Sequence, residues 1–279
     1  MKQPEKWKET IDPFSINFQN FELIKVLGYP HARNDVFYCV GKQDGQKLHC
    51  FIKFGSKPDS DIKHEVEIIK SLHFSFLPEI IDFDFNEKYC VTKEIEGERL
   101  SYLLKNFQES SMDYMFEYGK TLAEIHKTEV SVKEVKHRKF FDLPSLDYLK
   151  ENQIEFVYDF LVKNKPKQIN KCFCHGDFHY ANILWKDKKI VAVLDWELSG
   201  IGNKEYDIAW AIINRPGQNF LKTQKEIDKF IEGYLSLNSC NPKLIKYYMI
   251  LIYCHFISVD KNNLEYKNFV KEILKSVIE

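Results

Sequence analysis

The sequence predicts an α+β chain, with a small antiparallel-sheet lobe at the N-terminus and a larger, mainly helical lobe after it. Two observations carry this. Residues 21 to 95 alternate β-type runs with turn signals around one helical stripe, and beyond residue 100 the apolar residues recur at helical spacing. The length of 279 residues supplies enough chain for two lobes with a real core. The change of character falls at the polar connector "EGERL" (96–100), which sets the expected domains at 1–95 and 96–279.

Three strands come first: "FELIKVLG", "DVFYCVG" and "KLHCFIKFG", the last two joined by an Asp44-Gly45 hairpin turn. In "PDSDIKHEVEIIKSL" a helix starts, with Asp59 or Ser60 as its cap and Ile62, Ile69 and Leu72 on one stripe. "EIIDFDF" and "KYCVTKEI" then form a strand pair through the turn Asn86-Glu87-Lys88. Past the connector, Met112, Met115, Phe116, Leu122, Ala123 and Ile125 keep amphipathic helical spacing. Residues 145–163 read as helical after the irregular "HRKFFDLP". Short strands are expected at 171–174, 183–186 and 190–195, and helices at 206–213, 223–236, 242–258 and 262–277.

Composition narrows the partners. Forty Lys and Arg stand against 41 acids, a formal charge of −1, so no electrostatic case arises for nucleic acid or an anionic membrane. The apolar run "YYMILIYCHFI" (247–257) is too short to span a bilayer and reads as a buried helix. Seven cysteines without a small-scaffold spacing, and a polar N-terminus, point to a reducing, cytoplasmic setting. Cys172 and Cys174, alternating along a strand, read as small same-face fillers.

The chemistry concentrates in "CHGDFHYANIL" (174–184) and "VLDWELSG" (193–200). Asn182 and Asp195 bracket the expected hairpin "ILWKDKKIVAVLD", and two hard oxygen ligands at its end suit Mg²⁺. Asp177, set apart, would then accept the proton of an attacking hydroxyl, the division of labour that phosphoryl transfer requires. A metallohydrolase using His175, Asp177 and His179 as ligands is the rival reading, and it lacks further ligands nearby in the sequence. Lys53 in the apolar strand "CFIKFG" and Glu65 on the helix stripe are each costly alone, and each explains the other if they pair.

Lys53, Glu65, "HGDFHYAN" and "LDWE" together resemble the kinase-like fold, and specifically the aminoglycoside phosphotransferase family, whose relatives include kinases of choline, fructosamines and macrolides. "LAEIHK" (122–127) and "GNKEYDIAWA" (202–211) also look like family segments. The resemblance spans residues 20–260 and is strongest over 174–209. It implies a bilobal protein-kinase-like fold and a small-molecule O-phosphotransferase that moves the γ-phosphate of ATP or GTP to a hydroxyl of a small acceptor. It also implies roles: Asp177 as catalytic base, Asn182 and Asp195 as Mg²⁺ ligands, and Lys53 on the nucleotide phosphates, steadied by Glu65. Lys93, Glu94 and Ile95 would form the hinge whose backbone meets the purine, while Asp207 and His175 would support the fold. Glu197 follows Asp195 in the pattern without an assigned role.

The chain departs from protein kinases in reading His175-Gly176-Asp177 and Asp195-Trp196-Glu197 where those have H-R-D and D-F-G. No A-P-E segment follows, so protein-kinase activity is not expected. A glycine-rich loop is also missing: "LGYPHARNDVFYCV" holds only Gly28, which leaves phosphate cover to "YPHARND", with Arg33 or Asn34 as side-chain candidates. That gap is the best support for the non-enzyme alternative, a nucleotide-binding pseudokinase. From Ala211 to Glu279, ten Lys and Arg against seven Asp and Glu announce no acidic pocket for a polycationic acceptor.

Overall fold

The computed structural model describes residues 11–30, 34–168, 170–260 and 262–278, and the side chains of 277 and 278 are left aside. Arg33, a candidate for phosphate cover, and the polar N-terminal decapeptide lie outside the described residues. The chain divides into two units, Met1–Gly97 with Val191–Glu197, and Glu98–Ile190 with Leu198–Glu279.

In the first unit, β1 (Glu22–Gly28), β2 (Asp35–Gln43) and β3 (Gln46–Phe54) join β4 (Ile80–Asp84) and β5 (Tyr89–Lys93) in one antiparallel sheet of order β1-β2-β3-β5-β4. The β2–β3 turn sits at Asp44 (φ 49°) and Gly45 (φ 82°), the left-handed pair that an Asp-Gly hairpin supplies. Alternation buries Asp35, Phe37, Cys39 and Gly41 on one face of β2. Phe37 and Cys39 meet Cys50, Ile52 and Val91 in the core of this unit.

Helix α1 (Ile62–Ser71) is capped by Asp61, whose carboxylate accepts the His64 N–H at 3.1 Å, rather than by Asp59 or Ser60. Ser60 is engaged elsewhere, its hydroxyl donating to Asn34 Oδ1. The segment Val191–Glu197 is held in this unit by Val193 N–H donating to the Phe76 carbonyl at 2.9 Å and by the buried Trp196, stacked on Phe74 with ring centroids 6.5 Å apart.

The second unit opens with a short helix that the sequence reading passed over, α2 (Leu100–Asn106). Then α3 (Met112–His126) follows as expected. The single helical stretch expected over 145–163 is two helices, α4 (Leu146–Glu151) and α5 (Tyr158–Lys163). The left-handed Gln153 (φ 57°) and a 3-10 turn at Glu155–Val157 separate them. Strands β6 (Lys171–Cys174) and β7 (Ile183–Lys186) fall where predicted, and β7 leads through the left-handed Asp187–Lys188 turn into β8 (Lys189–Val193). That strand stops short of Asp195. A strand absent from the expectation, β9 (Gly200–Asn203), pairs antiparallel with β6. Its two glycines and single Ile gave no alternation to read.

Helices α6 (Lys204–Ile212), α7 (Gln224–Leu235), α8 (Pro242–Phe256) and α9 (Leu264–Ile278) complete this unit. The apolar run over 247–257 is, as expected, a buried helix, α8. α3 and α7 lie close enough that a Cβ on Gly119 would sit 1.9 Å from the Phe230 carbonyl oxygen, and one on Gly233 would sit 1.9 Å from that of Phe116. Glycine at both positions lets the two backbones touch, which brings the ends of α3 and α7 together at His126 and Tyr234. No helix among the described residues is long and apolar enough to cross a membrane.

Candidate active site

In the first unit, Lys53 sits on β3 between Val36 of β2 and Cys90 of β5, so its stem is fixed by a central strand. Its ammonium donates to Glu65 Oε2 at 2.8 Å and to Asp195 Oδ1 at 2.7 Å, and lies 3.3 Å from Glu197 Oε2. Glu65 and Glu197 are 8% and 5% exposed at the side chain, against 41% for Asp195. Burial alone would make Lys53 easier to deprotonate, but the three carboxylates overrule it and hold the ammonium charged, well above the ordinary lysine range. For Glu65 the order reverses: burial raises its carboxyl above the usual range despite the opposing Lys53 charge.

Asp195 takes a left-handed backbone (φ 64°), a conformation Asp tolerates better than most residues, two positions beyond the end of β8. Glu197, left without a role by its sequence, is the third carboxylate on Lys53 and accepts a hydrogen bond from Asn34 Nδ2 at 3.0 Å. Asn34 is therefore buried and bonded to Glu197 and Ser60, which corrects its expected part in covering phosphates: its amide is already spent inside the unit.

At the expected hinge, the N–H of Lys93 donates to the Glu79 carbonyl at 2.9 Å and that of Glu94 to the His49 carbonyl at 3.0 Å. The N–H groups of Lys93 and Glu94 are therefore already engaged within the unit.

In the second unit, Asp177 follows β6 on a loop whose backbone is strapped to α6. Asp207 Oδ2 accepts the His175 N–H at 3.0 Å, and its Oδ1 accepts the Gly176 N–H at 3.2 Å. The same carboxylate meets His126 Nε2 at 3.1 Å, and His126 Nδ1 meets the Tyr234 hydroxyl at 2.8 Å. A buried relay thus runs from α7 through α3 and α6 to the loop. The Asp177 N–H donates back to His175 Nδ1 at 3.2 Å.

The Asp177 side chain accepts from Trp210 Nε1 at 2.8 Å, with Arg138 Nη1 at 3.7 Å and His179 Nε2 at 3.5 Å. Burial would raise its carboxyl, but the hydrogen bond and charge of His179, then Arg138 and Arg215, outweigh that and bring it down to about 2. Asn182 Nδ2 donates to the Asp177 carbonyl at 3.1 Å and reaches its Oδ2 at 3.4 Å, so the amide nitrogen is spent and turned toward Asp177.

Gly176 is the pivot of this loop. It has φ +80°, and a Cβ there would lie 2.2 Å from the Leu198 carbonyl oxygen. Gly176→Ala is expected to destabilise the protein by about 3 kcal/mol and to depress turnover further by moving Asp177. Urea unfolding measured beside activity checks this, and a stable, fully active variant would show that the loop has another conformation open to it.

The structure thus joins Lys53, Glu65 and Asp195 in one unit, and Asp177 and Asn182 in the other. Trp210, which the sequence offers as a candidate acceptor-pocket ring with core packing the stronger reading, bonds Asp177; it follows Asp207 by three on α6 and shares its face. Two further residues around Asp177 escaped the sequence reading. Arg138 lies in the irregular stretch before α4, where no periodicity points anywhere, and Arg215 follows α6 in a loop.

Two sets of three ligand-type side chains converge among the described residues: Glu65, Asp195 and Glu197, and His126, Cys172 and Cys174. In each set the donor atoms lie within 4.8 Å of one another. The second set is committed elsewhere, both His126 nitrogens being taken by Tyr234 and Asp207. His175, Asp177 and His179, the ligands of the hydrolase reading, form no such set among these residues.

The profile of the phosphotransferase enzyme family matches residues 27–237. The aminoglycoside 3'-phosphotransferase of Enterococcus faecalis is 24% identical over 212 residues, covering 68% of this chain and 78% of that one. Human acyl-CoA dehydrogenase family member 11 is 33% identical over 116 residues, which cover 40% of this chain and only 13% of that much longer protein. Among solved structures, the streptomycin–ATP ternary complex of APH(2")-IIa superposes with a TM-score of 0.60 at 18% identity, covering 91% of each chain. That likeness shows the fold, α+β and kinase-like. With the profile spanning most of its length and both lobes' motifs in place, the chain belongs to the phosphotransferase enzyme family.

Proposed function

We propose that this protein transfers the γ-phosphate of ATP or GTP to a hydroxyl of a small acceptor. Lys53 is the observation that carries the reading. A lysine on a central strand is bonded both to Glu65, 12 residues away, and to Asp195, 142 residues away. No core requires such a set, and a triphosphate does. The 1–95 region is the nucleotide-binding lobe in this reading and 96–279 the catalytic and acceptor-binding lobe, with Lys93, Glu94 and Ile95 as the hinge beside the purine and its backbone donor coming from Ile95 or beyond.

The donor set fits Mg²⁺. Three carboxylates, those of Glu65, Asp195 and Glu197, have oxygens within 4.8 Å of one another around the Lys53 ammonium, and carboxylate oxygens are the ligand type a divalent cation takes. Asp195 in the first unit and Asn182 in the second are the Mg²⁺ ligands that the family resemblance implies; the Asn182 amide nitrogen is spent and its oxygen is of the hard type Mg²⁺ takes. The ion's contribution would be charge on the phosphate oxygens.

Asp177 does the work on the acceptor. With its carboxyl at about 2 it is ionised throughout the working range and is a weak base. It orients the hydroxyl by accepting its hydrogen bond, and takes the proton only late, once transfer has made that proton acidic. The relay from Asp207 fixes the loop that aims it.

The test is transfer from ATP and from GTP, with Mg²⁺, to aminoglycosides, macrolides, choline, amino alcohols, sugars and other small hydroxyl compounds. Phosphorylated product that disappears with EDTA is the expected result, and failure to bind either nucleotide with Mg²⁺ would sink the reading.

A further inference from the structure

The surroundings of Asp177 carry more than its orientation, because they are cationic. Two guanidiniums flank the indole that bonds Asp177, Arg138 at 4.4 Å from the Trp210 ring and Arg215 at 5.0 Å. They differ in what they have left to give. Arg215 is buried and donates to the carbonyls of Trp210 and Ile213 at 2.7 and 3.2 Å, so it is spent on the backbone. Arg138 lies 3.7 Å from Asp177, beyond hydrogen-bond length, and its Nη2 is shut off from solvent without a partner. The nearby Tyr206 hydroxyl, also buried, faces the same guanidinium, whose charge and hydrogen bond pull its pKa down against the rise that burial gives it. A buried guanidinium nitrogen whose hydrogen bonding is incomplete costs free energy unless something else completes it.

Arg138 is also held in position. Its segment is pinned by Phe140, whose ring centroid is 5.4 Å from Trp210 and 5.6 Å from Phe256, and by Phe141, 4.4 Å from Tyr206. The irregular stretch "HRKFFDLP" thus packs on α6 and α8 and presents a guanidinium. A cavity of about 340 Å³ beside this segment is lined by His137, Phe141, Gly176, Tyr206 and Asp207, with Arg138 and Asp177 outside its lining. From Ser131 to Asp142 the chain has Lys133, Lys136, Arg138 and Lys139 against Glu134 and Asp142, and Glu134 is already paired with Lys171.

We infer that the acceptor carries an anionic oxygen group, a carboxylate or a phosphate ester, which Arg138 binds while Asp177 orients the hydroxyl to be phosphorylated. This rests on the phosphotransferase reading and gives it a substrate class. A guanidinium has the planar fork that such groups need, and stacking on Trp210 fixes its plane. A polycation or quaternary amine would be repelled where an anion is drawn in.

The test is a panel of hydroxycarboxylates and sugar phosphates, each paired with its amide, amine or free-alcohol counterpart, assayed by product mass spectrometry. The expected result is that anionic members lead their partners in kcat/KM by about tenfold or more. Whether carboxylates or phosphate esters lead identifies the group. Arg138→Ala should erase that preference through KM, Arg138→Lys should restore part of it, and Arg138→Glu should reverse it. An arginine that merely neutralised Asp177 would depress both members of each pair alike, which overturns the inference. So does turnover of neutral or cationic members alone, or no anionic turnover by protein that still binds Mg²⁺-nucleotide. The phosphotransferase reading fails separately, by loss of nucleotide binding.

Discussion

Replacing Asp177 by Asn is expected to lower kcat by about 10²- to 10⁴-fold with nucleotide affinity unchanged. The amide keeps an oxygen for the Trp210 N–H, which now reaches Asp177 Oδ1 at 2.8 Å, so the loop should hold its shape. What the variant loses is the charge that orients the acceptor hydroxyl and finally takes its proton. The loss should therefore appear in kcat and kcat/KM together, the signature of an interaction made in the transition state. A companion result follows from the acidity of this group. Since Asp177 titrates near 2, no acid limb of the wild-type rate profile between pH 5 and 8 should belong to it. The same depression stabilises the fold above the ordinary carboxyl range, and that contribution goes only as pH falls through about 2. Turnover in Asp177→Asn within a few-fold of wild type would remove Asp177 from the chemistry.

Much of this site was legible because short-range rules place it. Lys53 and Glu65 could be matched since a lone charge in an apolar strand and a lone acid on a buried stripe demand partners, and strand-then-helix order brings them together. Asp177 and Asn182 stood out because a loop held by short strands fixes polar side chains near one another. The ends of elements were harder. Asp61 rather than Asp59 or Ser60 caps α1 because Ser60 is drawn to Asn34, a contact across 26 residues that no local pattern encodes. β9 is a strand only because β6 is there to pair with it. Arg138 reaches Asp177 through aromatic packing of an irregular segment, and such packing leaves no period in the sequence.

Lys53→Met should be the more damaging change to the fold itself. It removes the ammonium bonded to Glu65 and Asp195 and 3.3 Å from Glu197, and Glu65 is almost wholly buried. Taking the cation from a buried carboxylate such as Glu65 costs about 3–5 kcal/mol, far more than the lost methylene packing, which methionine largely replaces. The pH dependence gives the cause away. Glu65 is already raised above its ordinary range by burial, with Lys53 pulling the other way, so taking the lysine out lets it rise further. A carboxyl raised in the folded state binds more protons folded than unfolded, so its stabilisation is full below the unfolded value and falls as pH rises. The gap between variant and wild type in urea unfolding should therefore widen from pH 5 to pH 8. Glu65→Gln added to Lys53→Met should close much of it, because the neutral amide needs no cation. An equal loss at every pH would mean that the carboxylates stay hydrated and charged, and that Lys53 contributes by packing alone. Nucleotide binding should be lost in the single variant in either case, since the ammonium that grips the phosphates is gone.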